Sequence, residues 1–257
     1  NMMLDSNNVP VTKNYAGYDG GDSLANYCRY WLANVKLQPV LAAHKLNFTP
    51  FIVMPGIVCR HPGKGTDPEG KPYNNVPSFW SDTREVSRDN TRALHWLVAI
   101  RYKLLENGLS PQALLDLEDV YVQYTSVRKS RTAQNGDILF PLQFATGGLS
   151  LVLRDIELMF NLSVVCGLLP SIKHDAPMGL GKGKRIFFSW QDEDHVDGDV
   201  NMAADLIGCS LVKPTLLSKL ATKIYKAIRG DKAISHYYRE ASGNNPEIGQ
   251  ALILALE

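Results

Sequence analysis

The sequence predicts a mainly α protein, an irregular (α/α) helical toroid or array with long loops gathered at one end and few short strands. Three observations lead there. Apolar residues recur at the i, i+3, i+4 spacing of an amphipathic helix through much of the chain. Strand-like runs are confined to "FIVMPGIVC" (51–59) and "RIFFSW" (185–190). Two long stretches rich in Gly, Pro, Asp and Lys, 60–86 and 166–196, read as functional or disordered loops between helices. No fixed-period repeat marks a solenoid. At 257 residues, 45% hydrophobic and 21% charged, the chain has the length and composition of one folded domain. A single helical domain over 1–257 is expected, with residues 1–14 a polar N-terminal extension.

The elements follow in order. Leu24, Tyr27, Cys28, Trp31, Leu32 and Val35 share one helical face after Asp22 or Ser23, either of which suits an N-cap, and a helix of roughly 20 residues follows. A second helix starts at Ser87, carries Leu94, Leu97, Val98, Leu104 and Leu105 on one side, and stops near Asn107-Gly108. A third has Ser110 as cap and Pro111 at its first position, where the missing N–H costs nothing. "LSLVLRDIELMFNLSVVCGLL", after Gly148 and before Pro170, is apolar nearly all round and reads as a core helix buried on most sides. Further helices are expected at 198–208, at 215–229 with Leu217, Leu220, Ile224 and Ala227 in register, at 231–241, and after Asn245-Pro246.

Charge and cysteine usage exclude several classes. With 27 Lys plus Arg against 26 Asp plus Glu, nothing favours binding of a phosphate backbone, so no nucleic-acid partner is expected. Cys28, Cys59, Cys166 and Cys209 are far apart and form no CxxC, which supports neither zinc nor a disulfide framework. No apolar run reaches bilayer length and "NMMLDSNNVPVTKN" is polar rather than signal-like, so no membrane insertion is expected, and the chain is either made in a cytoplasm or a mature fragment. "GLGKGKR" (179–185) misses the phosphate-loop spacing and lacks its hydroxyl, and reads as a flexible basic loop. Neither a cofactor nor a metal is implied.

Four helix starts or helix-leading loops carry acid, Arg or His, and aromatic residues together. In "YAGYDGGDSL" Asp22 sits at a helix start, and a cap explains it; Asp19 is harder to explain that way. "GIVCRHP" offers Arg60, a planar fork for a carboxylate, and His61, a proton carrier near neutrality or a hydrogen-bonded structural residue. In "SFWSDTREVSRDN" capping accounts for Ser87 and Asp89, whereas Trp80, Arg84 and Arg88 need other partners. "FFSWQDEDHVDGDVNMAADL" brings Trp190, Asp192, Asp194 and His195 to another helix start; its glycine falls one place late for a calcium loop. In a helical toroid such loops converge on one mouth.

The motifs "DGGDS" (19–23), "RHP" (60–62), Trp80 and "SRDN" (87–90) together resemble a group of helical-toroid proteins encoded by tailed phages and some bacteria. In that group a Gly-Gly-Asp turn, an Arg-His-Pro and a Ser-Arg-Asp-Gln occur in the same order. "PTLLSKLATKIY" (214–225) and "HYYREASGNNPEI" (236–248) are similar to its tail, and Asn90 departs from its glutamine. The resemblance implies a mostly helical toroid with a polar cleft, made in a host cytoplasm and assembled into a virion with other virion proteins. It brings no reaction with it.

Chemistry alone then suggests a carbohydrate-directed site, with a glycan or surface polysaccharide as partner. Trp80 and Trp190 would offer faces to sugar rings. Asp22 and Asp89 would be the two carboxylates that hydrolyse a glycosidic bond, with an Asp of 192–194 as substitute. Arg60 and Arg88 would tune them, His61 would carry protons, and Asp19, Asp192 and Asp194 would line the cleft. The rival expectation is a non-catalytic structural or receptor-binding virion component, in which the same groups form a closed salt-bridge network.

Overall fold

The computed structural model describes residues 2–14, 17–84, 86, 88–125, 146–168, 196–241 and 245–257. The chain is mainly helical: α1 (Ser23–Leu37), α2 (Pro39–Lys45), α3 (Arg88–Ala99), α4 (Arg101–Glu106), α5 (Pro111–Thr125), α6 (Gly148–Val165), α7 (Val196–Val212), α8 (Leu216–Ile228), α9 (Gly230–His236), a π turn (Tyr237–Ala241) and α10 (Pro246–Ala255). Two small antiparallel pairs accompany them, β1 (Thr12–Asn14) with β2 (Gly17–Asp19) and β3 (Ile52–Met54) with β4 (Ile57–Val58). The second pair is the expected 51–59 strand folded back on itself. The run 185–190 and the basic loop 179–185 lie outside the described residues.

Helix boundaries follow local chemistry. The first helix is shorter than expected because residue 39 is proline: α1 stops at Leu37, and Pro39 opens α2, where no N–H is needed. The second expected helix breaks at Ile100 into α3 and α4. It ends at Asn107, where Gly108 takes a φ of 98° that suits glycine. The Ser110 hydroxyl accepts the Ala113 N–H at 3.2 Å. Thr215 and Ser218 form a reciprocal capping box on α8, Thr215 Oγ1 accepting from Ser218 N at 3.0 Å and Ser218 Oγ from Thr215 N at 2.9 Å.

One apolar cluster runs from Val9 to Leu256 and gathers α1, α3, α7 and α10. Within it α1 packs on α3 and α10, α3 on α7, and α6 on α8. Gly208 of α7 sits against the Trp96 indole, where an added Cβ would lie 2.1 Å from Cδ2. Glycine there sets how closely α3 and α7 approach.

Three expectations are corrected. The α6 segment is not buried on most sides. Leu149, Val152, Leu153 and Ile156 are exposed, while Arg154, Asp155, Glu157 and Asn161 turn inward with Leu158 and Leu162. In α8 the expected apolar face is the outer one: Leu217 and Leu220 are exposed, and Ser218, Ala221 and Tyr225 are buried. Leu105 likewise faces outward. Hydrophobicity alone misassigned these faces because buried ion pairs and hydrogen bonds hold the polar sides in place.

The N-terminal segment is built into the body rather than extending from it. Val9 and Val11 are buried, and Asn245 at the start of α10 clamps the segment from both sides. Its Oδ1 accepts from Met3 N at 3.0 Å, and its Nδ2 donates to Val11 O at 2.8 Å.

Candidate functional site

The starts of α1 and α3 meet, and α7 comes in beside them. The Leu24 N–H of α1 donates to Arg60 O at 3.0 Å, which fixes the "RHP" segment against the first turn of that helix. The Asn90 amide of α3 donates to Gly21 O at 3.4 Å, just ahead of α1. On α7, Asn201 Nδ2 donates to Asp89 Oδ1 at 3.1 Å. Asp22, Arg60, Asp89 and Asn90 therefore belong to one region. Trp190, Asp192 and Asp194 lie outside the described residues, as does the Arg88 side chain.

Asp22 holds the N-cap position of α1, yet its side chain makes no capping hydrogen bond. Its half-buried carboxylate is thus placed at the positive end of the helix without serving as a cap. Asp19 is explained by the turn: its Oδ1 accepts the Gly21 N–H at 2.7 Å. Asp89 is also half-buried, at the first turn of α3.

Behind Asp89 lies a buried polar relay. Arg29 Nη2 donates to Asn201 Oδ1 at 2.9 Å, and Arg29 Nη1 donates to Tyr237 Oη at 3.3 Å. Arginine has only donors, so the Asn201 carbonyl must face it, which leaves the amide NH2 for Asp89. Asn26, one turn before Arg29 on α1, accepts from Tyr238 Oη at 3.3 Å. Asn26, Arg29 and Asn201 are all buried.

Deeper along the same helices the polar seam becomes ionic. Arg92 of α3 forks onto Asp205 of α7 with Nε–Oδ1 2.7 Å and Nη2–Oδ2 3.0 Å, and Trp96 Nε1 donates to the same Oδ1 at 2.7 Å. Glu157 of α6 stands 3.7 Å from Arg92 Nη2. His95 is held well below its ordinary pKa, first by burial and then by the nearby Arg92 charge. Burial likewise pushes the Cys209 thiol up to about 12.

Two expected roles meet a different environment. His61 is fully buried: its Nε2 lies 2.8 Å from Asp5 Oδ2, and its Nδ1 accepts the Gly63 N–H at 3.0 Å. With Nδ1 accepting, the ring proton sits on Nε2 and faces Asp5. The ring also fills the space a Gly20 side chain would take, since a Cβ there would be 2.7 Å from His61 Cγ. His61 therefore anchors the loop and has no open side for proton transfer to a bound ligand.

Trp80, expected as a sugar platform, is only 2% exposed and stacks edge-on against His61 and Tyr73, with centroids 4.7 and 5.4 Å away. Its neighbour in the 3₁₀ turn, Phe79, is the half-exposed ring, with the Arg60 guanidinium 5.4 Å from its centroid. The turn buries the larger aromatic and directs the smaller one outward.

Asn26, Arg29, Asn201 and Asp205 were missed in the sequence. Their signal was present: Asp22, Asn26 and Arg29 repeat at i, i+4, i+7, and Asn201 and Asp205 at i, i+4, each inside an otherwise apolar helix. Among the described residues no group of three His, Cys, Asp or Glu could hold a metal ion, and no helix is long and apolar enough to cross a membrane. Comparisons with protein-family models, curated proteins and solved structures find no match to this chain.

Proposed function

We propose that the region where α1, α3 and α7 meet is a glycan-directed site at the mouth of a helical toroid, and that Asp22 and Asp89 act together on a glycosidic bond. The carrying observation is that both acids are half-buried at helix starts and that Asp89 is backed by a buried relay of Arg29 and Asn201. Burying an arginine and two amides costs several kcal/mol in desolvation unless their hydrogen bonds are well formed. Such investment behind the half-buried Asp89 supports positioning of its carboxylate. Phe79 takes the sugar-stacking role expected of Trp80, and Arg60 is poised over it.

In this reading one carboxyl group protonates the leaving oxygen while the other activates water or attacks carbon. The resemblance to phage-encoded proteins makes a bacterial surface polysaccharide the substrate class to test. Purified protein is incubated with such polysaccharides and new reducing ends are measured. Asp22→Asn and Asp89→Asn are each expected to lower the rate at least 100-fold while leaving the circular-dichroism spectrum unchanged. A panel of surface glycans left uncut by folded wild-type protein ends the enzymatic reading.

A second reading has its own support. The Arg92–Asp205–Trp96 cluster and the Asp5–His61 pair are closed, buried interiors of the kind that fix geometry in a non-catalytic virion component. Co-sedimentation of the protein with intact virions, together with no glycan cleavage, favours that reading.

A further inference from the structure

We propose that a groove formed by α9, the π turn and α10 binds a phosphomonoester carrying an uncharged, sugar-sized body. Two adjoining hollows, of about 400 and about 220 Å³, share Ser235 and Arg239 as common wall. Together they fall in the size range of small-molecule sites.

The first hollow is cationic. Among the described residues it is lined by Lys232, His236 and Arg239 with Ser235 and Asp231. Lys232 and Arg239 are exposed and make no hydrogen bond or ion pair with any described residue. A guanidinium fork, an ammonium and a hydroxyl supply donors to the three terminal oxygens of a phosphate.

The second hollow is of different character. Pro246, Gly249 and Ile253 give it an apolar floor, and Gln250 offers an amide. Gly249 makes that floor flat: a Cβ there would lie 3.1 Å from Tyr238 Cδ2. An uncharged ring with hydroxyl groups suits such a surface, with Gln250 as partner to one hydroxyl.

The backbone of this wall is itself unusual. Residues 237–241 form a π turn, a rare element that recurs at functional sites. Here it sends Tyr237 and Tyr238 inward to Arg29 and Asn26 and presents Arg239 outward. The groove is independent of the proposed glycosidic chemistry, which uses the starts of other helices.

The test titrates glucose 1-phosphate, inorganic phosphate, glucuronate and glucose into the 257-residue protein by isothermal calorimetry at low salt. Glucose 1-phosphate is expected to bind more tightly than inorganic phosphate, and glucose not measurably. Arg239→Gln and Lys232→Gln should each weaken glucose 1-phosphate at least tenfold without moving the melting temperature, because both side chains are exposed. Gln250→Ala should weaken glucose 1-phosphate and spare inorganic phosphate. The proposal is overturned if glucose 1-phosphate fails to bind, if neither charge removal alters its affinity, if glucuronate binds as tightly, or if inorganic phosphate matches it.

Discussion

Asp205→Ala tests the account of the core most directly. The wild-type carboxylate is 1% exposed and receives three short hydrogen bonds, two from Arg92 and one from Trp96. Its removal leaves a guanidinium that is 4% exposed without its main counter-charge, and an indole N–H without its acceptor. Breaking a buried pair by deleting one member costs about 3–5 kcal/mol. Glu157, 3.7 Å from Arg92 Nη2, offsets part of this and places the expected loss near the lower end, about 3 kcal/mol. For a chain of this size that lowers Tm by roughly 6–12 °C.

The informative comparison is the double variant Arg92→Met, Asp205→Leu, which removes both charges and keeps most of the volume. It is expected to lose less than the two single losses summed, the remaining cost lying in the stranded Trp96 N–H and in buried Glu157, which loses the Arg92 charge. Urea unfolding followed by both fluorescence and circular dichroism measures each variant. A loss below about 1 kcal/mol for Asp205→Ala, or a double variant as damaged as the two single losses summed, refutes this account of the pair.

Three further outcomes follow. Gly208→Ala places a methyl group 2.1 Å from the Trp96 ring and should destabilise by at least about 1–3 kcal/mol in the same unfolding assay, with Trp fluorescence shifted as the indole moves. Asp5 is pushed up by burial, but hydrogen bonds from His61, from Asn7 and from the Val9 backbone outweigh this and hold its pKa below the usual 3.8. Its native value lies below its unfolded one, so its stabilisation is complete above roughly pH 4 and is lost as pH falls through the depressed native value; unfolding free energies between about pH 6 and pH 2 should show this component, and Asp5→Asn should abolish it. Native protein treated with a thiol reagent should label Cys166, the half-exposed one, ahead of Cys28, Cys59 and Cys209, which are buried; burial also pushes the Cys59 thiol up to about 11, and the three should react only on unfolding.

Much of the fold was legible because its local signals are strong. The helix start at Pro111 and the stop at Asn107-Gly108 are fixed by serine-cap, proline and glycine chemistry within a few residues of sequence. The inward faces of α6 and α8 were not legible. A helix rich in Leu, Val and Ile has no unique apolar side, and its orientation was decided by where Arg154, Asp155 and Glu157 find partners. The same holds for Trp80 and His61: composition marked both as reactive or exposed types, yet Tyr73, Asp5 and Gly20 enclose them from parts of the chain that no local pattern connects.

The sequence by itself determined a mainly helical chain, the starts of several of its helices and the presence of acids at those starts, because propensity and capping act over single turns. Only the tertiary structure decided that Asn201 holds Asp89, that Arg29 orients Asn201, and that Asp205 anchors Arg92. Those pairs are separated by more than 100 residues. A buried charge or amide is stable only where a partner of matching geometry meets it, and that meeting is a property of packed helices rather than of any one of them.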